Sequence, residues 1–282
     1  MEFSCTLSAA SGFPLEQRFI ALREGGCSRA NLSVSDTIRY LSAPQDAEVF
    51  SKQLKEANLA VDWVHAPYYG TPIHSQSWHR RRMAVASMVR HLEGAGEIEA
   101  RVFVCHALAI DPKFNMSEDM VPPEEIINRE GDIYKNIVES IHTLVDLGKR
   151  IGVSVAIENM RNLYVLKAAE YLMEDIPDLA FCYDVGHSFL NPEIIPRLTK
   201  YADRLAAVHL HDNGGINDDH WFPSEGLVDW ESVMSTLQQL KYQGVYGMEV
   251  HWHNIPTPEE TANRIRKSID RIRRAQAIGG VR

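Results

Sequence analysis

Cation-binding side chains recur near the ends of short apolar runs. They are His65 in Trp63-Val64-His65-Ala66-Pro67, His106 in Val104-Cys105-His106, and Glu158 in Ala156-Ile157-Glu158-Asn159. Next come Asp184 in Tyr183-Asp184-Val185-Gly186-His187, His209 in Val208-His209-Leu210-His211-Asp212, and Glu249 in Met248-Glu249-Val250-His251. A charged group in an apolar run is costly to bury unless it is paired or bound to a metal. A lone histidine of this kind is commonly a satisfied core or surface group, and Asp184 or Glu158 alone is as readily half of a salt bridge. All six together, if the runs are successive strands, converge on one polar mouth where a cation relieves their mutual repulsion. Carboxylate oxygens mixed with imidazole nitrogens suit Zn, Mn, Fe(II) or Co, and a carboxylate-rich subset also admits Mg. A metal held by Glu158, Asp184, His209 and Glu249 would leave positions open for substrate oxygens or water.

Other residues fit the same chemistry but have a plainer reading beside it. Asp218-Asp219-His220, leading through Pro223-Ser224-Glu225-Gly226 to Asp229-Trp230, offers a carboxylate and an imidazole two residues apart. Such a pair chelates one ion, or is simply a solvated acidic loop. His187, three residues after Asp184, faces the same mouth or caps the next helix. His211 and His251 share strand parity with His209 and Glu249, so they point inward as substrate contacts or supports of the ligands, or serve neither role. Trp252, Trp221, Tyr68 and Tyr69 form an apolar wall for a sugar ring, or pack. His74, His79, His91 and His142 read as surface residues, and Arg80-Arg81-Arg82 as the solvated face of a helix.

The frame that must position these groups alternates short and long patterns. Eight β-type runs are Phe3–Ser8, Arg29–Val34, Val61–His65, Arg101–Ala107, Val153–Asn159, Leu179–Asp184, Leu205–His211 and Tyr246–Trp252. Helical periodicity predicts helices over Asp46–Leu59, Ile133–Ile151 and Trp230–Leu240. Pro122-Pro123 before Glu124-Glu125 predicts the start of a long helix, and Gly152 and Gly244 predict helix stops. Eight β-α units with no linker point to a single (β/α)₈ barrel domain over residues 1–282. A doubly wound open sheet is disfavoured because Ser11-Gly12-Phe13-Pro14 is not a glycine-rich phosphate turn. Loops that follow barrel strands carry the chemistry, which singles out Asp212–Asp229.

Composition bounds what such a barrel can meet. With 29 Lys and Arg against 38 Asp and Glu, the chain of 282 residues carries −9, and 45% of it is apolar. That balance opposes non-specific attraction to nucleic acid or anionic membranes. No run approaches the ~18 apolar residues of a membrane span. Cys5, Cys27, Cys105 and Cys182 are isolated, without a C-x-x-C pair, and the three that fall in apolar strand-like runs read as reduced, buried thiols. The start, Met1-Glu2-Phe3-Ser4, is acidic where a secretory signal would be basic, so a cytoplasmic protein is expected. The twelve histidines are the compositional excess.

The segments Ile157-Glu158-Asn159, Asp184-Val185-Gly186-His187, Val208-His209-Leu210-His211-Asp212, His220 through Asp229-Trp230, and Met248-Glu249 resemble the xylose isomerase-like TIM-barrel superfamily. That superfamily groups sugar isomerases and epimerases with the endonuclease IV type of apurinic endonuclease. The resemblance spans strands three to eight and implies a divalent cation on Glu158, Asp184, His209 and Glu249. In the sugar branch one ion, Zn, Mn, Mg or Co, is expected to bind adjacent carbonyl and hydroxyl oxygens. One of Glu158 and Glu249 then removes a proton from the carbon next to the carbonyl and the other returns it. His187, His211, His251, Trp252 and Tyr68 are the expected substrate contacts. Ketose 3-epimerases of this family place a Glu six residues after the first metal Glu and an Arg six after the metal His. Here those positions are Tyr164 and Gly215.

The nuclease branch implies up to three zinc ions on His65, His106, Glu158, Asp184, His187, His209, Asp218, His220 and Glu249. Hydrolysis of a phosphodiester would follow. Against it, Asp212-Asn213-Gly214-Gly215 and Trp221-Phe222-Pro223 depart from the DNA-repair loops, and no basic and aromatic strip suits a bent duplex. The sugar branch is therefore favoured, with a small sugar or sugar derivative as partner and a homo-oligomer left open. A barrel that binds metal and sugar without turnover, or a sugar-acid dehydratase, stays open as well.

Overall fold

A computed structural model describes residues 1–68, 70–108 and 122–279. Eight strands form one parallel sheet: β1 (Phe3–Thr6), β2 (Arg29–Leu32), β3 (Ala60–His65), β4 (Val102–Cys105), β5 (Ser154–Glu158), β6 (Ala180–Asp184), β7 (Leu205–His209) and β8 (Tyr246–Met248). Each pairs with its sequence neighbour, and β8 returns to β1. The gap between β7 and β8 is bridged at the C-terminal edge, where Leu210 N donates to Gly247 O at 2.8 Å and Glu249 N to Leu210 O at 3.1 Å. The sheet is thereby a nearly closed (β/α)₈ barrel, as the alternating pattern predicts. Several expected strand runs stop short, most of all the last, because the chain leaves the ladder to form the loops at the mouth.

Strand alternation sorts the side chains. One set, packed inside the barrel, is Trp63, Val102, Val104, Ala156, Cys182 and Ala207. The indole of Trp63 fills space that small neighbours leave, and Gly247 makes room for it, since a β-carbon there would lie 2.5 Å from Trp63 Nε1. On six strands the position two residues after an inward-facing one is polar: Trp63 to His65, Val104 to His106, Ala156 to Glu158, Cys182 to Asp184, Ala207 to His209, Gly247 to Glu249. A period of two sends all of them to the same side. Trp63 is thus the floor beneath the mouth, its ring 4.3 Å from that of His209.

The helices are α1 (Leu15–Gly25), α2 (Val34–Leu41), α3 (Pro44–Glu56), α4 (Trp78–Glu97), α5 (Pro123–Ile126), α6 (Asp132–Ile151), α7 (Leu163–Asp175), α8 (Val185–Leu190), α9 (Ile194–Leu198), α10 (Trp230–Gln239) and α11 (Pro258–Gly279). In α3, α6 and α10 the predicted apolar stripe is the buried one. Two expectations are corrected. Pro122-Pro123 starts only the single turn of α5, and the long helix begins at Asp132 behind the extended cap Gly131. Gly152 does end α6, with φ 79°, but Gly244 does not end α10: the left-handed residue there is Lys241, φ 55°.

Two histidines expected at the surface are buried instead. His74 is 6% exposed and His91 5%, the latter with Nδ1 on Ser87 O at 2.8 Å within its own helix. His79 and His142 are exposed. Of the arginine run, Arg82 lies over the Trp78 ring on the surface, whereas Arg81 donates to Ser75 O at 2.7 Å. All four cysteines are reduced and buried, and burial pushes the thiols of Cys5, Cys105 and Cys182 up to about 12. Among the described residues no helix is long and apolar enough to cross a membrane.

Candidate metal centre

The mouth brings together three groups of side chains whose ligand atoms lie within 4.8 Å of one another: His65, His106 and Glu158; Glu158, Asp184, His209 and Glu249; and His211, Asp218 and His220. Glu158 joins the first two groups. Its Oε2 is 3.3 Å from His106 Nε2, 3.4 Å from His65 Nε2 and 3.5 Å from His209 Nδ1. Glu249 Oε2 stands 3.0 Å from the same Nδ1. His187 ties the third group to the others: its Nε2 is 2.9 Å from Asp218 Oδ2 and its Nδ1 3.3 Å from Glu158 Oε1. The ring faces the mouth, and the cap of α8 is Asp184, which accepts from His187 N at 2.6 Å.

Backbone carbonyls orient several of these rings. His65 Nδ1 lies 2.9 Å from Ala66 O, His187 Nδ1 2.8 Å from Asn159 O, and His220 Nδ1 3.0 Å from Glu249 O. A carbonyl accepts, so each Nδ1 carries the proton and each Nε2 is left to face a carboxylate. Such clamps are the usual way a protein aims a metal-binding imidazole. Two lone pairs cannot face each other in a dry site without a proton or a cation between them. His209 makes the same point: it is fully buried, and neither ring nitrogen has an aligned hydrogen-bond partner despite the carboxylates around it. The donor set therefore fits a divalent cation of the Zn, Mn or Co type.

Electrostatics point the same way. Burial would raise the Glu158 carboxyl, but His209 and His106 outweigh it and hold the group well below the ordinary range. Asp218 and Glu249 are likewise held low against burial, by His187 and His220 for Asp218 and by His209 and His220 for Glu249. Burial works against charge on the imidazoles too, yet the carboxylates raise His187 well above its ordinary value and His220 to about 9, and Cys182 with Glu249 and Glu158 raises His209 well above its own. For His106 burial prevails and its value falls. The cluster concentrates negative potential that draws positive charge to its centre.

Residues outside the sequence motifs hold the cluster in shape. Asp212 is fully buried and accepts from Asn213 N, Val228 N, Ser224 N and Trp230 Nε1 at 2.9–3.0 Å, pinning the loop that presents Asp218 and His220. A β-carbon on Gly226 would run into that carboxylate. Asn159 accepts from Asp184 N at 2.8 Å and donates to Asp184 O at 3.0 Å, clamping the ends of β5 and β6. The dipeptides Glu158-Asn159 and His211-Asp212 were the only visible signal for these roles.

The remaining expected contacts divide. His211 is buried, with Nε2 3.1 Å from Asp184 Oδ2 and 3.7 Å from Asp218 Oδ1. Tyr68 sets its ring 4.6 Å from that of His106. Trp252 is 1% exposed and Trp221 42%. The parity expected of His251 does not hold, because β8 ends at Met248; His251 is exposed, its ring 4.6 Å from His220. Tyr69 lies outside the described residues.

Solved structures of similar fold include a D-tagatose 3-epimerase-like protein, with a TM-score of 0.74 at 20% identity over 99% of this chain and 98% of that one. Another is the E. coli 3-keto-D-glucoside 4-epimerase YcjR, at 0.70 and 19% over 97% and 99%. The IOLI protein with a bound zinc atom gives 0.76 and 13% over 98% and 99%. Likeness at such identities is likeness of fold. The uncharacterized protein MJ1311 of Methanocaldococcus jannaschii is 28% identical over 196 residues, 66% of this chain, and the chain spans 63% of that relative's length. The pattern of the xylose isomerase-like TIM barrel family matches residues 26–275, and the chain belongs to that family.

Proposed function

We propose that this protein is a divalent-cation-dependent isomerase or epimerase of a sugar or sugar derivative. The observation that carries the reading is the pair of carboxylates, Glu158 at the end of β5 and Glu249 just past β8, both against His209 Nδ1. The sugar epimerases among proteins of the same fold support it. Glu158, Asp184, His209 and Glu249 would hold the cation, which when bound would supply Lewis-acid polarisation of a substrate carbonyl and so acidify the neighbouring carbon. Glu158 and Glu249 then remove and return the proton on that carbon from two sides, which gives stereochemical control. Glu249 is the more accessible of the two, 13% exposed against 2%. His187, His211 and Tyr68 are the neighbouring side chains that would orient substrate hydroxyls. Tyr164 and Gly215, where ketose 3-epimerases carry Glu and Arg, direct the preference away from those ketoses.

The test is solvent exchange. Ketoses and keto sugars incubated with the protein in deuterated water should acquire deuterium next to the carbonyl. Glu249→Gln should slow this by roughly two to four orders of magnitude, the usual contribution of a positioned base. No exchange in any substrate would overturn the reading.

One observation favours a second reading. His65 and His106 on one side, and His187, Asp218 and His220 on the other, complete a ligand set larger than one ion needs. A cluster of about three zinc ions hydrolysing a phosphodiester uses such a set. Three zincs per chain together with incision of abasic duplex DNA would favour it.

A further inference from the structure

The inward cluster continues outward as a row of imidazoles whose outer members, His251 and His253, the reaction above does not use. His211 is fully buried, and its ring centroid lies 4.1 Å from that of His220. His220 is 4.6 Å from His251, and His251 is 5.2 Å from His253. Both outer rings are exposed, while Trp252 between them is buried at 1%. The row is tied down as well: His251 N donates to His220 O at 3.0 Å and Trp252 N to Ser8 Oγ at 3.4 Å.

We propose that His251 and His253 form an outer landing site for a zinc-type divalent cation and pass it to His220. The spacing suits this. Two imidazoles on one tetrahedral zinc, with Zn–N near 2.0–2.1 Å, hold their centroids about 5 Å apart. An all-imidazole pair selects Zn, Cu or Ni over the oxygen-seeking Mg and Ca. Two ligands leave the remaining positions to water, so the ion is held loosely and moves on. His251 neighbours both His253 and His220, so the bond to His253 breaks as the bond to His220 forms, with no change of oxidation state, and the proton His220 carries near neutral pH leaves to solvent. Inside, Asp218 and His220 add charge and a fixed geometry, which makes the transfer downhill.

The inference rests on the cation-dependent reading above, and its test separates the two. Full-length protein stripped by chelator is mixed with zinc in a stopped-flow cell, and uptake is read from a competing chromophoric chelator. His251→Ala/His253→Ala should reach the same final zinc content as the parent but take it up on the order of tenfold more slowly, the low end of what local cation capture gives an on-rate. His253→Ala alone, changing one exposed ring, should fall between. Equal rates at full zinc content would overturn the landing site and leave the inner site standing. A lower final content in the double variant would also overturn it, since His251 would then be a resident ligand. If the parent takes up no zinc, both readings fall.

Discussion

His211 occupies the place where a side chain on Gly186 would be. A β-carbon on Gly186 would overlap the His211 ring, whose Nε2 lies 3.2 Å and 3.1 Å from the two Asp184 oxygens. The first turn of α8 and the end of β7 are thus fitted to each other through one hydrogen atom, and the Asp184 carboxylate is held between them.

Gly186→Ala should push His211 off Asp184. Overpacking of this kind costs about 1–3 kcal/mol, and loss of a group that steadies a ligand lowers metal affinity roughly 10–100-fold. Thermal melting and zinc titration check both parts. Unchanged affinity would show that His211 plays no part in holding Asp184.

Asp212→Ala should leave the barrel folded but release the loop that carries Asp218 and His220. Its donors, Asn213 N, Val228 N, Ser224 N and Trp230 Nε1, lose their common acceptor. A buried donor left unpaired costs about 1–3 kcal/mol. Cation binding at the Asp218 group should vanish while binding at Glu158 persists, a difference that metal content measures directly.

Metal binding should release protons. His187 and His209 are raised well above the ordinary histidine range and His220 to about 9, so near neutral pH these rings hold protons that a cation must displace. Affinity therefore rises with pH up to about 9 and falls as pH drops. Calorimetry in two buffers of different ionisation enthalpy gives the proton count.

A second pH effect belongs to the opposite end of the barrel. Asp62 is fully buried with Oδ1 2.5 Å from Arg101 Nη1, and burial pushes it up to about 6 despite that partner. The unfolded value is about 3.9. Between the two the folded protein holds the extra proton, so this group's contribution makes stability fall as pH rises from about 4 to about 6. Asp62→Asn should remove that slope in denaturant melts.

The core of the site was legible because strands repeat every two residues. An apolar interior residue followed two places later by a His or carboxylate, as in Ala156 to Glu158, is a local pattern that survives folding unchanged. For His251 that rule does not apply, since the chain leaves the sheet after Met248. Gly186, Gly226 and Asp212 act through contacts with residues far along the chain or across a loop, which no local period encodes. Pro122-Pro123 misled for a related reason: a helix start is local, but its length depended on the extended cap at Gly131.

The central claim is that the strand ends form a divalent-cation centre. Its most direct test is the metal content of protein purified without chelator, beside Glu158→Ala, which removes the carboxylate shared by two of the ligand groups. The account predicts stoichiometric divalent cation in the parent and a large loss in the variant. A parent that carries no bound cation and takes up none when titrated with Zn, Mn or Co would contradict it.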